Sequence, residues 1–142
     1  MIVYFDASAL VKLLVEEVGS DAAADLWDGC DAALASRLAY PEVRAALAAA
    51  HRNRDLSDRA HASVLRAWEG YWAAVRPVEL TAAVERRAGD LAHRHGLRGA
   101  DAVHLASAMV AAGPPGLVVA VWNRRLHAAA AAEGLGTAPA RL

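Results

Sequence analysis

The chain has 142 residues, of which 56% are hydrophobic and 22% charged, and it carries a net charge of −1 with a pI near 6.6. That composition excludes a disordered chain, and no apolar run approaches the roughly 20 residues of a membrane helix. The charge balance gives no bulk positive field for nucleic acid, and the one cysteine, Cys30, excludes an internal disulfide and a Cys-based zinc site.

The length fits one domain over residues 1–142 with a real core. Nothing at the start resembles a signal peptide, so the expected setting is cytoplasmic. Residues 2–5, Ile-Val-Tyr-Phe, read as a short strand buried on both faces. Asp6 and Ser8 follow, and from Ala9 the apolar spacing of Leu10, Val11, Leu13, Leu14 and Val18 predicts a helix stopping at Gly19. Ser20 is expected to cap a helix that ends near Gly29, and residues 31–36 form a weak second strand. Pro41 sits early in a third helix, where its missing N–H does no harm, with Val43, Ala46, Leu47 and Ala50 on one face.

Ser57 is expected to cap the next helix, whose stripe of Val64, Leu65, Trp68, Tyr71, Trp72 and Val75 suits a core or a subunit interface better than base stacking. Residues 77–80 give a third strand. Thr81 caps a helix to about His95, with Gly96 just past its end. A helix over 100–112, the breaker Gly113-Pro114-Pro115-Gly116 and an apolar strand over 117–121 come next. Asn123 opens a last helix, Arg124 to Glu133, stopped at Gly134, and residues 135–138 suggest a final edge strand. Alternating strands and helices, with helix in excess, predict an α/β layered domain around a mainly parallel sheet.

Most of the 16 acidic residues fall on polar faces. Asp6, Glu42 and Asp101 do not. Asp6 stands where a buried strand hands over to a helix, the place where open α/β sheets bind ligands. Glu42 and Asp101 lie in the first turns of helices otherwise rich in Ala, Val and Leu. Capping accounts for Asp6 taken singly, and the helix dipole accounts for the other two. Together, three carboxylates at one edge of a parallel sheet need a hard cation, and oxygen ligands select Mg²⁺ or Mn²⁺. Asn123, by the same strand-end logic, belongs at that edge as a weaker ligand, as a helix cap, or as both.

Four segments then carry a resemblance: Tyr-Phe-Asp-Ala-Ser-Ala-Leu-Val-Lys (4–12), Tyr-Pro-Glu-Val-Arg-Ala-Ala-Leu (40–47), Arg-Gly-Ala-Asp-Ala-Val-His-Leu-Ala (98–106) and Val-Trp-Asn-Arg-Arg-Leu-His-Ala-Ala-Ala (121–130). In this order they resemble PIN-domain proteins, and more closely the VapC-type toxins of type II toxin–antitoxin systems. The resemblance implies a PIN-like three-layer α/β domain with about five short, mainly parallel strands flanked by helices. It also implies a homodimer, a Mg²⁺-dependent endoribonuclease acting on RNA, and inhibition by a cognate antitoxin. It places Asp6, Glu42 and Asp101 on the family's metal-binding acids, and Ser8 on a hydroxyl that orders a metal-bound water. The departure is Asn123, where the family usually has aspartate.

Arg124, Arg125 and Lys12 are candidates for substrate phosphates, against the plainer reading of solvated surface. His104 reads as a hydrogen-bonded core histidine, because Mg²⁺ prefers oxygen. Two rival readings stay open. One is a PIN fold that has lost catalysis and only binds its partner, for which Asn123 argues. The other is a receiver-like signalling domain, against which the only lysine, Lys12, stands in the first helix instead of at a late strand end.

Overall fold

The apolar run at the N-terminus forms the middle of a sheet. In the computed structural model, which describes residues 1–111 and 116–142, Ile2–Phe5 (β1) pairs in parallel with Ala32–Ser36 (β2) on one side and Leu117–Ala120 (β4) on the other. Arg76–Val78 (β3) and Gly136–Ala138 (β5) close the two edges, also parallel, giving the order β3-β2-β1-β4-β5. Ile2 of β1 stands in register with Ala32 on one side and with Leu117 on the other. Both central neighbours are therefore in step, and their carboxyl ends finish level. The chain leaves β1 towards β2 and later returns to β4 on the other side. The β1/β4 boundary is the switch point where such sheets open a crevice.

Alternation along β1 divides the core into two. Val3 and Phe5 point into one layer with Leu10, Val43, Leu47 and Trp68, while Tyr4 points into the other with Leu91, Leu105, Val119 and Leu126. The first layer is built by Ala7–Lys12 (α1), Ser20–Gly29 (α2), Ala39–Arg52 (α3) and Asp58–Ala74 (α4). The second is built by Ala82–His95 (α5), Gly99–Ala111 (α6) and Arg124–Ala132 (α7). The expected three-layer α/β architecture with five short parallel strands is thus present. Among the described residues no helix is long and apolar enough to cross a membrane.

Several boundaries differ from expectation. The first helix ends at Lys12, not at Gly19, because tight turns close on Leu10 and Val11 carbonyls from Leu13 and Leu14. Leu13, Leu14 and Val15 still pack on the core, so their apolar spacing reflects burial outside a helix. Ser20 does not cap α2. Gly19 does, at φ +94°, and the Ser20 hydroxyl instead donates to the Val15 carbonyl and accepts the Glu17 N–H. On α3, Ala46 is exposed while Val43 and Leu47 are buried. The caps at Ser57, Thr81, Gly96 and Asn123 fall where the sequence places them. Of the expected breaker, residues 113–115 lie outside the described residues, as does Ala112, the expected end of α6.

Candidate metal centre

Asp6 ends β1 and caps α1, so one carboxylate meets both structural demands. Its Oδ1 accepts the Ala9 N–H at 2.8 Å, and the Ser8 hydroxyl donates to both carboxylate oxygens at 2.6 and 2.8 Å. Ser8 Oγ in turn accepts the Trp122 N–H at 3.4 Å, which ties the end of β1 to the segment after β4. Asp6 is 4% exposed. Burial pushes its carboxyl above the ordinary range and the charge of Asp101 pushes the same way, while His104, the Ser8 hydroxyl and the Ala9 amide pull it back.

Asp101 stands in the first turn of α6, half-buried. Burial raises its carboxyl too, and the neighbouring Glu42 adds to the rise; His104, Arg98 and the Asn123 amide oppose it. Glu42 reaches the same edge from α3, on the other face of the sheet. Asp101 thus acts on Asp6, and Glu42 on Asp101, through their charges. Neither Asp6 nor Asp101 is ion-paired with a lysine or arginine among the described residues.

Asn123 caps α7: its Oδ1 accepts the Leu126 N–H at 3.1 Å and its Nδ2 faces Asp101 Oδ2 at 3.4 Å. The residue thus turns its N–H, not its oxygen, towards the acids. Lys12 is nearly buried, with Nζ 2.8 Å from Glu17 Oε1 and 5.4 Å from the centre of the Trp122 ring. Arg124 and Arg125 are exposed in the first turn of α7, and Arg125 lines a cleft with His95 and Gly96.

Two residues that sequence reasoning did not place in the site belong to its wall. His104 Nε2 lies 2.6 Å from Glu42 Oε1, and its Nδ1 lies 2.9 Å from the Tyr4 hydroxyl. His104 is a hydrogen-bonded core histidine, as expected, but one of its bonds goes to a site acid. The signal that was available for Tyr4 is its hydroxyl in an otherwise apolar buried strand, since a buried tyrosine needs a polar partner.

The donor set suits a hard divalent cation: oxygen only, anionic, and with two carboxyls driven towards neutrality by burial and mutual repulsion. A bound cation would reverse both pressures. Among the described residues no three Asp, Glu, His or Cys side chains already converge on one point as metal ligands do. In this geometry Glu42 is drawn to His104 and Asp6 to Ser8.

Comparison with known proteins places the fold. Residues 3–132 match the family model described as the PIN domain. Over 141 residues the chain is 69% identical to Ribonuclease VapC45 of Mycobacterium tuberculosis (strain CDC 1551 / Oshkosh), covering 99% of this chain and 97% of that protein. Among solved structures it superposes on VapC20 of M. tuberculosis, described as a sarcin-ricin loop cleaving toxin, with a TM-score of 0.66 at 21% identity, over 89% of this chain and 94% of the other. It also superposes on a toxin–antitoxin complex from Klebsiella pneumoniae, with a TM-score of 0.60 at 17% identity, over 85% of this chain and 86% of that one.

Proposed function

The chain belongs to the PIN-domain family, and from that premise we propose that it is a ribonuclease of the VapC toxin type whose phosphodiester hydrolysis depends on Mg²⁺ or Mn²⁺ held by Asp6, Glu42 and Asp101. Identity of 69% over nearly the whole length of a ribonuclease supports the activity class. The observation that supports the metal dependence is that Asp101 lies near enough to Asp6, and Glu42 near enough to Asp101, to raise carboxyls that burial already raises.

When bound, the cation supplies the Lewis acid that polarises a phosphoryl oxygen and acidifies a water. The chain's own groups do the rest. Asp6 is held in one orientation by the Ala9 N–H and by the single Ser8 hydroxyl hydrogen shared between its two oxygens, so its carboxylate is preorganised. Ser8 is shared between Asp6 and the Trp122 amide, which fixes the distance between the ends of β1 and β4. Asn123 steadies Asp101 through Nδ2 and serves the cation only weakly, because its oxygen is spent on the cap. Arg124 and Arg125, exposed beside Asn123, are placed to meet substrate phosphates. Lys12, engaged with Glu17, is the weaker candidate.

The same reading carries a cognate antitoxin and a second copy of the chain as protein partners. It is tested by incubating the purified protein with RNA in Mg²⁺, Mn²⁺ or EDTA, and by inducing it in cells with and without the antitoxin. Metal-dependent cleavage and growth arrest relieved by the antitoxin are expected. Antitoxin binding without cleavage in either metal would replace this reading with that of a binding module.

A further inference from the structure

His104 is 2% exposed and lies on α6, three residues after Asp101, with both ring nitrogens engaged. The Tyr4 hydroxyl stands 2.9 Å from Nδ1, and the same oxygen accepts the Ser36 N–H at 3.1 Å. Tyr4 is fully buried, so its hydroxyl must find its partners inside the protein. That hydroxyl meets His104 Nδ1 at hydrogen-bond distance, and the Ser107 hydroxyl lies beside it.

A carboxylate oxygen only accepts, so Nε2 carries a ring hydrogen aimed at Glu42 Oε1, 2.6 Å away. A ring with Nε2 bare would set a lone pair against a carboxylate oxygen. A chain of polar contacts results, from the Ser36 N–H at the end of β2, through Tyr4 on β1 and His104 on α6, to Glu42 on α3. It crosses both layers of the domain and ends on the one site acid that comes from the other face of the sheet. The bond uses only Oε1; among the described residues Oε2 has no hydrogen-bond partner.

Resting on the reading of Asp6, Glu42 and Asp101 as the cation's ligands, we infer that His104 is a positioning residue for Glu42. Tyr4 holds the ring from behind through Nδ1, and Glu42 Oε2 is left for the divalent cation. Metal-ligating groups are commonly oriented in this way by partners behind them, and losing such a partner weakens metal binding about 10–100-fold.

The test uses the full chain and Mn²⁺ alone, titrated by calorimetry, with RNA cleavage as a second readout. His104→Leu should weaken Mn²⁺ binding by about 10–100-fold, and lower kcat at limiting metal while leaving KM for RNA unchanged. His104→Gln, whose amide nitrogen replaces Nε2 as donor, should recover most of the affinity, and Tyr4→Phe should fall between the two. A merely structural histidine would change melting but not the Mn²⁺ affinity of the folded protein. Wild-type affinity in folded His104→Leu therefore overturns the inference. Should His104→Leu not fold, His104→Gln is compared with His104→Asn, whose side chain is too short to reach Glu42, and equal affinities overturn it. Asp6→Asn runs alongside. If Asp6→Asn loses Mn²⁺ while His104→Leu keeps it, only the role of His104 fails; if Asp6→Asn binds as the wild type does, the metal site itself fails.

Discussion

At Asp6 one side chain serves two purposes, and a single substitution separates them. Asparagine ranks with aspartate as a helix cap, so Asp6→Asn keeps an oxygen for the Ala9 N–H and removes only the charge. The Asp6 carboxyl titrates above its usual 3.8 in the folded protein, chiefly through burial. The folded state therefore holds that proton more tightly than the unfolded chain does. The resulting cost to stability is absent below the unfolded pKa, grows as pH rises towards the folded one, and stays at full size above it. In EDTA at neutral pH, Asp6→Asn should melt higher than the wild type, and the gap should close as pH falls into the ordinary aspartate range. Metal-dependent cleavage should be lost in the same variant. A lower melting temperature for folded Asp6→Asn would make the residue a cap and nothing more. Asn123→Asp runs the opposite way: aspartate also caps α7, but it faces Asp101 with a charge where Nδ2 now donates. It should tighten Mn²⁺ binding and lower the melting temperature in EDTA together, and calorimetric affinity equal to the wild type would confine Asn123 to capping. Asp6, Glu42 and Asp101 could be picked out of the sequence because each breaks an apolar context. The Glu42–His104 and Tyr4–His104 bonds could not, since 62 and 100 residues separate the partners and no local pattern joins them.

Among the elements, those with strong local punctuation were readable in the sequence. Thr81 and Gly96 bracket α5, and Ser57 opens α4, because a hydroxyl cap and a left-handed glycine act within one helical turn. The end of α1 was not readable, because periodic apolar residues continue through a turned segment that is buried for tertiary reasons. That segment hands over to α2 at Gly19, where φ is +94° and an added Cβ would lie 2.6 Å from Trp122 Nε1. The indole is itself flanked by the Lys12 side chain, so it has little room to yield. Gly19→Ala should therefore add overpacking of about 1–3 kcal/mol to a backbone strain of about 1–2 kcal/mol, roughly 2–5 kcal/mol together. Gly96→Ala is the control, since φ is +61° there but nothing lies within 4 Å of the new methyl. It should cost about 1–2 kcal/mol from the left-handed backbone alone. Denaturant midpoints for the two variants test the comparison, and a Gly19→Ala no worse than Gly96→Ala would show that Trp122 moves aside freely.

In the whole molecule, the aromatic stripe of α4 is the feature whose meaning the fold decides. A sequence cannot say whether such a stripe faces its own core or a second copy, because both demand the same apolar spacing. Here Trp68 is fully buried, its ring 5.8 Å from Tyr40 and 5.5 Å from Trp72, while Val64, Leu65, Tyr71 and Trp72 are half-buried against the same core. The middle of the stripe is therefore spent within the protomer, and a homodimer must use surface beyond it. Two substitutions follow from that division. Trp68→Ala removes a fully buried indole and should lower the unfolding free energy by about 3–5 kcal/mol. Because Trp68 is hidden inside the protomer, folded Trp68→Phe should keep the mass of the wild type in light scattering. The proposed dimer predicts that mass to be twice 14.9 kDa at micromolar concentration. A wild-type mass of 14.9 kDa would remove the dimer. A monomeric but well-folded Trp68→Phe beside a dimeric wild type would instead mean that α4 reaches the partner through its core, so that association and folding draw on the same side chains.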